Sequence, residues 1–250
     1  MELAEFFKVN NKAALAFSGG VDSAYLLFAA VRCGADIRPY FVKSQFQPKF
    51  ELDDAMHLAE QVSAPLTVID MDVLSIPEVC RNQADRCYHC KRSIMSAIIR
   101  AARDDGYTLL LDGTNASDDT ADRPGMRAIS ELDVRSPLRE CGLTKAAIRQ
   151  LSKDAGLFTW DKPAYACLAT RVAQGELLTQ AHLERVEKSE SILYNLGFTD
   201  LRVRTRGDSA LLQFAQDELP RAISQQGEIF SLLSPYFDEI RIDAEGRKRT

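Results

Sequence analysis

Short apolar runs alternate with amphipathic helical segments over the first two-thirds of the chain. Four runs have the length and composition of buried strands: 13–17, 36–42, 65–70 and 107–113. Between them, apolar residues recur at the i, i+3, i+4, i+7 spacing of a helix, over 24–31 and again over 94–101. Strands that alternate with helices form right-handed βαβ units and therefore a parallel sheet. The alternation predicts an α/β fold with helices on both faces of the sheet.

The pattern changes near residue 160. A helix and three short strands are predicted beyond it, at 179–196, 201–206, 210–215 and 239–243. This order is typical of a small α+β unit. We therefore divide the chain into a first domain at 1–160, a connector at 161–178 that carries Cys167, and a second domain at 179–250.

Composition and charge exclude several classes of protein. The 36 acidic residues outnumber the 31 basic ones and give a net charge of −5, which argues against a protein that wraps nucleic acid. The first residues have no apolar core typical of a signal peptide, and no apolar run reaches the ~20 residues of a membrane span. We expect a cytoplasmic protein that binds neither nucleic acid nor membranes. Its six cysteines are then expected to be thiols or metal ligands rather than disulfides.

The stretch "AFSGGVDSAYLL" joins the first predicted strand to the first predicted helix. Gly19 and Gly20 have no Cβ, so their backbone N–H groups can approach an anion, and the helix N-terminus adds further donors. The hydroxyls of Ser18 and Ser23 can donate to phosphate oxygens, and Asp22 can cap the helix or bind Mg²⁺. The sequence has no Walker motif. The stretch predicts a phosphate-binding turn, and a capped turn without a ligand is the alternative.

This turn resembles the PP-loop of the N-type ATP pyrophosphatases, which split ATP into AMP and pyrophosphate and pass the adenylyl group to a substrate oxygen. The matching residues are Ser18, Gly19, Gly20, Val21, Asp22 and Ser23. The resemblance implies that they bind ATP and Mg²⁺, and that Val42 and Ser44, which follow the second strand, face adenosine. Ligands of open parallel sheets bind at the carboxyl ends of the strands, and Gly113 ends the fourth predicted strand at that edge, so it is a second candidate for ATP binding. Arg123 is also assigned to ATP binding. For the segment around Gly113, a plain loop is the alternative.

The rest of the chain resembles the LarE family of ATP-dependent sulfur transferases. The stretches that carry this resemblance are "RCYHCK" (86–91), "DGTNASDDTADRPGMRA" (112–128), "SPL" (136–138), "WDKPAYACLATR" (160–171) and "LGFTDLRVR" (196–204). It implies a Rossmann-like, adenine nucleotide alpha hydrolase-like fold and a homo-oligomer. It also implies adenylation and sulfur transfer on a small nucleotide, pyridinium-3,5-biscarboxylic acid mononucleotide, during synthesis of the nickel-pincer cofactor.

Cys87 and Cys90 lie three residues apart at the predicted start of a helix. Both would lie on one helix face, where the helix dipole and the neighbouring Lys91 and Arg92 favour thiolates. A structural zinc site would need a second such pair, which the sequence lacks. Buried core thiols are the alternative. Cys167 lies in the connector with no evident packing role.

The resemblance gives these cysteines a role in supplying sulfur. Some family members donate the sulfur of one cysteine, whereas others hold a [4Fe–4S] cluster on three. The three cysteines of this chain are Cys87, Cys90 and Cys167, so the resemblance implies either a cluster or Cys167 itself as the sulfur carrier, with a sulfide donor as a further partner. Thr170 stands where the family often has serine.

A carboxylate and a series of arginines mark the second domain. Glu190 falls on the apolar stripe of the helix at 179–196, so it needs a partner. The following strand alternates apolar residues with Arg202, Arg204 and Arg206, and guanidinium groups on one face suit a phosphate or dicarboxylate. A solvated strand with one structural ion pair is the alternative. The resemblance implies that Glu190, Arg202 and Arg204 line the substrate side of the catalytic site.

Other functions stay open at the level of sequence. A tRNA thiolase of the same superfamily would share the adenylation step, although the acidic charge balance argues against it. An ammonia-using ligase would need no cysteine. A non-catalytic nucleotide sensor, with a loop held in place by a bound metal ion, would bind ATP and never release pyrophosphate.

Overall fold

The computed structural model describes residues 2–118 and 124–247. The chain forms two compact units, one of Met1–Asp72 with Cys87–Lys162 and the other of Val73–Arg86 with Pro163–Thr250. Backbone hydrogen bonds from Leu178 N to Cys80 O and from Gly175 N to Asn82 O link the two segments of the second unit. The predicted domains were consecutive stretches of sequence, so they did not include the association of Val73–Arg86 with Pro163–Thr250.

The first unit contains a four-stranded parallel sheet of order β3-β2-β1-β4. Its strands are β1 (Lys12–Ala16), β2 (Asp36–Lys43), β3 (Thr67–Asp70) and β4 (Leu110–Leu111). All four lie within or close to the apolar runs, so the predicted strands are confirmed. β4 is shorter than its apolar run, because its ladder with β1 includes only two residue pairs.

Helices surround this sheet. In the first unit they are α1 (Leu3–Val9), α2 (Val21–Arg32), α3 (Lys49–Gln61), α5 (Arg86–Asp104), α6 (Pro124–Glu131), α7 (Pro137–Glu140), α8 (Lys145–Asp154) and a 3-10 turn (Phe158–Asp161). Successive β1 side chains enter different cores: Ala13 and Leu15 pack with α1 and α2, and Ala14 packs with α5. Both faces are therefore buried, which confirms the predicted α/β, Rossmann-like fold.

The second unit is a smaller α+β structure, as predicted. Its sheet has the order β5-β6-β7, with β5 and β6 antiparallel and β6 and β7 parallel. The elements are α4 (Pro77–Cys80), α9 (Gln180–Asn195), β5 (Leu201–Arg206), β6 (Ser209–Phe214), α10 (Leu219–Ser224), α11 (Gln226–Leu233), β7 (Glu239–Ile242) and 3-10 turns at Val73–Ser75 and Leu168–Arg171. Thr179 caps α9 by accepting a hydrogen bond from His182 N, as its side-chain type favours. Leu193, Phe198 and Phe214 contribute to a separate core.

Within the described residues, no helix combines the length and the apolar character that a membrane crossing requires.

Candidate functional site

The strand order of the first unit creates a crevice at one end of β1. From β1 the chain passes to β2 and β3 on one side and then returns to β4 on the other. Ligands of open parallel sheets bind at such a switch point, beyond the carboxyl ends of the strands. The loop at 18–23 follows β1 and the loop at 112–118 follows β4, so both lie at this end of the sheet.

Gly19 and Gly20 shape the loop after β1 in different ways. Gly19 has a φ of +70°, and a Cβ there would lie 3.2 Å from the Cβ of Ala55 on α3, so both backbone and packing favour glycine. Gly20 has an ordinary φ of −80° and is the N-cap of α2. No side chain in the described part of the chain caps this helix end. The first N–H groups of α2 are therefore available to an anion.

Two hydroxyls close the loop. Ser18 Oγ and Ser23 Oγ lie 3.1 Å apart, and Ser23 Oγ also donates to Gly20 O at 3.2 Å. Ser23 Oγ accepts a hydrogen bond from Ser18 N. The hydroxyls thus hold the loop in a tight turn, while a hydroxyl can rotate to donate to a ligand oxygen.

Asp22 is paired with a lysine that the sequence did not reveal. Lys145 Nζ donates to Asp22 Oδ2 at 2.6 Å across 123 residues of sequence. Burial raises the pKa of Asp22, and the hydrogen bond from Lys145 opposes that rise. Asp22 Oδ1 is buried and has no hydrogen-bond partner among the described residues. Thr144 is the N-cap of α8, so Lys145 is the first residue of that helix.

The loop after β4 packs closely against the start of α2. A Cβ at Gly113 would lie 2.9 Å from Ser23 N, so a larger residue would push the two loops apart. Asp112 is buried and fixes this loop by accepting hydrogen bonds from Thr114 Oγ1 and Ser136 Oγ. The structure thus brings Gly113 against the glycine-rich loop.

The residues predicted near adenosine lie at the carboxyl end of β2. The side chain of Val42 is buried in the core. Ser44 is also buried, and Gln47 Oε1 accepts hydrogen bonds from both Ser44 Oγ, at 2.6 Å, and Ser44 N. Arg123, which was assigned to ATP binding, lies outside the described residues.

The three cysteines of the predicted cluster belong to different units. Cys87 and Cys90 lie in the first turns of α5 in the first unit, and Cys167 precedes the 3-10 turn Leu168–Arg171 in the second. Cys87 is exposed, whereas Cys90 and Cys167 are partly exposed. Over residues 2–118 and 124–247, no three Cys, His, Asp or Glu side chains are grouped to hold a metal ion. The cluster stays a prediction.

Glu190 has the partner that its position on the apolar stripe required. It forms a buried ion pair with Arg171, whose Nε lies 2.7 Å from Glu190 Oε1, and both side chains are at most 2% exposed. Tyr165 Oη donates to Glu190 Oε2 at 2.6 Å, and Val203 N in β5, an edge strand of its sheet, donates to Oε1 at 2.9 Å. The need for a cation was predictable, but its identity was not.

The same network fixes the backbone on both sides of Cys167. Arg171 Nη1 donates to Ala166 O and to Thr170 Oγ1, both at 2.9 Å. Thr170 in turn donates from N and Oγ1 to Cys167 O, at 2.9 and 2.8 Å. The buried ion pair is thus connected to the loop that carries the Cys167 thiol.

The arginines of β5 do not share one environment, although strict alternation predicted it. Arg202 is buried because the connector covers it: its guanidinium donates to Ala164 O and lies 5.1 Å from the centre of the Tyr165 ring. Arg204 is exposed and donates to Gln213 Oε1 and Thr170 O. Burial, and then the charges of Arg171 and Arg247, lower the pKa of Arg202 and Arg204. Arg247 is a basic residue of this cluster that the sequence did not reveal.

The sequence as a whole has close relatives. No family model matches it. It is 31% identical over 249 residues to an uncharacterised protein of Synechocystis, covering 98% of this chain and 92% of the relative. It is 28% identical over 244 residues to an uncharacterised protein of Methanocaldococcus jannaschii, with 97% and 93% covered. It is also 34% identical to the pyridinium-3,5-bisthiocarboxylic acid mononucleotide synthase of Lactiplantibacillus plantarum over 210 residues, which are 83% of this chain and 74% of that enzyme. The chain belongs to the LarE family.

Two groups of predicted residues come together in this LarE-family chain. The loop residues 18–23 and Gly113 meet in the first unit. In the second unit, Glu190 reaches the loop of Cys167 through Arg171, and Arg204 reaches it through Thr170 O. The sequence alone did not identify Arg171 or Lys145 as members of these groups.

Replacing Glu190 should destabilise the second unit strongly. In Glu190→Ala, Arg171 keeps a buried charge without its counter-ion, so we expect the free energy of unfolding to fall by about 3–5 kcal/mol. Tyr165→Phe removes one hydrogen bond to the same carboxylate and should cost about 1.5–3 kcal/mol. Urea unfolding followed by circular dichroism measures both, and Trp160 fluorescence reports separately on the first unit. Equal stability of Glu190→Ala and the wild type would contradict the role of this ion pair.

Proposed function

We propose that this chain is an ATP-dependent sulfur transferase that adenylates a substrate carboxylate, releases pyrophosphate and converts the carboxylate to a thiocarboxylate. The observation that carries the proposal is the glycine-rich turn at the switch point of the sheet, followed by a helix N-terminus without a side-chain cap. This arrangement presents backbone donors to an oligophosphate. Membership of the LarE family supports the same reaction.

ATP is held by the first unit in this proposal. Ser18, Gly19, Gly20, Val21 and Ser23 bind the phosphates, and Asp22 binds the accompanying Mg²⁺, whose charge stabilises the departing pyrophosphate. The main chain at Val42 and Ser44 faces adenosine, and Gly113 and Arg123 complete the nucleotide site. A substrate carboxylate oxygen attacks the α-phosphorus, and the bond from that phosphorus to the pyrophosphate oxygen breaks.

The substrate is bound by the second unit. Arg202 and Arg204 supply charge for a phosphate or a carboxylate. The buried Asp200 offsets part of the positive charge, because its Oδ1 lies 3.5 Å from Arg202 Nη1 and 3.6 Å from Arg247 Nη2. Both oxygens of Glu190 already accept hydrogen bonds from protein groups, so Glu190 contributes through the side chains that it holds. We propose a pyridinium-3,5-biscarboxylic acid mononucleotide as substrate, in synthesis of the nickel-pincer cofactor, because the named relative is a synthase of the corresponding bisthiocarboxylic acid.

Sulfur then replaces the adenylate. In the simplest route, the Cys167 thiolate attacks the acyl carbon and AMP leaves with the bonding electron pair of its oxygen. Loss of the Cys167 α-proton then breaks the Cβ–Sγ bond, which leaves a thiocarboxylate and a dehydroalanine at position 167.

The alternative source of sulfur is a [4Fe–4S] cluster on Cys87, Cys90 and Cys167. All three are thiols with at least partial exposure, which suits thiolate ligands. Such a cluster, supplied by a sulfide donor, would carry sulfide as the transferable atom. The described residues group no three metal-binding side chains, so the cluster stays a prediction. A homo-oligomer likewise stays a prediction.

Arg204→Ala should raise the KM for the mononucleotide about 10- to 100-fold and change the KM for ATP little. Loss of a charge-assisted hydrogen bond to the substrate has about this effect. Arg206→Ala is the matched control, because Arg206 is also exposed two residues along the same strand. The rate of pyrophosphate release in the first turnover, measured with each substrate varied in turn, checks the prediction. Equal effects of Arg204→Ala on both KM values would instead make Arg204 a structural residue.

Product analysis separates this function from the alternatives. Purified protein with ATP, Mg²⁺, the biscarboxylic mononucleotide and a sulfide source should form AMP and pyrophosphate only when the mononucleotide is present. ADP as the product would contradict the proposal. Sulfur incorporation into tRNA would indicate a thiolase, and amide formation from ammonia would indicate a ligase. ATP binding without any cleavage would indicate a sensor.

A further inference from the structure

Helix α8 fixes the backbone of Lys145 at the candidate ATP site. It is the first residue of α8, and its backbone N–H donates to Ser117 Oγ at 3.0 Å in the loop after β4. Thr144 caps the helix by accepting a hydrogen bond from Ala147 N. The position of the Lys145 Cα therefore depends on the same loop that packs against the start of α2.

The side chain of Lys145 ends at the glycine-rich loop. Its Nζ lies 2.6 Å from Asp22 Oδ2, in the first turn of α2, where the backbone donors for an anion are. About a third of the Lys145 side chain is exposed (34%), so it can move. The other nearby cation, Arg149, donates instead to Trp160 O and Lys162 O, which fixes its guanidinium.

Lys145 contacts only one of the two carboxylate oxygens of Asp22, Oδ2. Asp22 Oδ1 is buried without a hydrogen-bond partner among the described residues, so this side chain has capacity for a further cationic ligand. A divalent cation that arrives with ATP supplies two positive charges to Asp22. The ammonium of Lys145 is then released next to the phosphates, and a lysine ammonium is a common phosphate binder.

We propose that Lys145 is a catalytic residue that exchanges its carboxylate partner for the phosphates of ATP and neutralises the departing pyrophosphate. The inference rests on the proposed function, since it names a further residue of the same ATP site. The simpler account is that Lys145 only neutralises Asp22. The two accounts differ once the divalent cation is bound. A mere ion-pair partner would then be dispensable, whereas a phosphate ligand would be needed most.

The experiment compares Lys145→Met, Lys145→Arg and the control Lys153→Met. Lys153 is on the same helix, but its ammonium lies over the Trp160 ring. Calorimetric titration with pyrophosphate and Mg²⁺ measures binding without turnover, and a single-turnover assay at saturating Mg²⁺ measures pyrophosphate release. Loss of one donor to a developing negative charge typically lowers the rate about 100- to 1000-fold.

We expect Lys145→Met to bind pyrophosphate at least tenfold more weakly than the wild type and to release it about 100- to 1000-fold more slowly. Lys145→Arg should keep part of the binding, and Lys153→Met should match the wild type. Wild-type binding and release by Lys145→Met at saturating Mg²⁺ would overturn the inference. If the wild-type protein binds pyrophosphate but forms ADP, the proposed function fails while the role of Lys145 in phosphate binding still stands.

Discussion

Gly20→Val should abolish pyrophosphate release and leave the fold intact. Gly20 has a φ of −80°, which suits any L-residue, and among residues 2–118 and 124–247 a Cβ there meets only Ser18 Oγ, at 3.4 Å. The protein alone therefore accommodates a Cβ at this position. The ligand does not, because the added methyl groups lie beside a hydroxyl and N–H groups that we propose bind phosphate. We expect a loss of at least 100-fold in pyrophosphate release, comparable to the loss of an electrostatic donor.

The matched control for this substitution is Gly227→Ala. A Cβ at Gly227, in α11 of the second unit, meets no atom of the described residues within 4 Å. Alanine in a helix should be neutral or stabilise the protein by about 0.5–1 kcal/mol. The assay is ATP cleavage, with Trp160 fluorescence as the measure of folding of the first unit. Wild-type ATP cleavage by Gly20→Val would show that the loop does not bind the phosphates.

Cys167→Ser should stop sulfur transfer while adenylation continues. The serine hydroxyl preserves size and the hydrogen bonds of the neighbouring backbone, but it supplies no sulfur and is a poor metal ligand. Pyrophosphate should still form, and the thiocarboxylate product should be absent by mass spectrometry. Cys33→Ser is the control, since Cys33 is an exposed thiol at the end of α2 and should behave as the wild type. Thiocarboxylate formation by Cys167→Ser would exclude both proposed roles of this cysteine.

Cys87→Ser and Cys90→Ser decide between the two sources of sulfur. If a cluster is present, each of them should stop transfer as Cys167→Ser does. Wild-type protein reconstituted with iron and sulfide should then hold about four irons per chain. If Cys167 gives up its own sulfur, both variants should complete one turnover, and dehydroalanine should appear at position 167.

The fold was largely predictable because hydrophobic periodicity reports directly on burial. The strands β1, β2 and β3 and the helices α2 and α9 overlap the predicted segments and differ from them by at most three residues at either end. The spacing of apolar residues does not show how many backbone hydrogen bonds a strand forms with its neighbour. The length of β4, which is only two residues within the apolar run at 107–113, was therefore not predictable. The spacing also does not show that residues 73–86 pack with the second unit.

The site was predictable where function is local in sequence. The turn at 18–23 contains the proposed phosphate-binding groups in consecutive residues, whereas Lys145, which contacts Asp22, is 123 residues away in the sequence. Glu190 needed a cation on energetic grounds, but only the path of the connector selects Arg171. The same connector buries Arg202, and the alternation of a strand cannot reveal what covers its second face.

The oxygen transferred during adenylation tests the central claim most directly. If a carboxylate oxygen attacks the α-phosphorus of ATP, that oxygen leaves on AMP when sulfur replaces it. With a mononucleotide labelled with oxygen-18 in its carboxylates, we predict one labelled oxygen in each AMP and a thiocarboxylate that has lost one. Unlabelled AMP would show that water attacks ATP, which would contradict an acyl-adenylate and the account given for this chain.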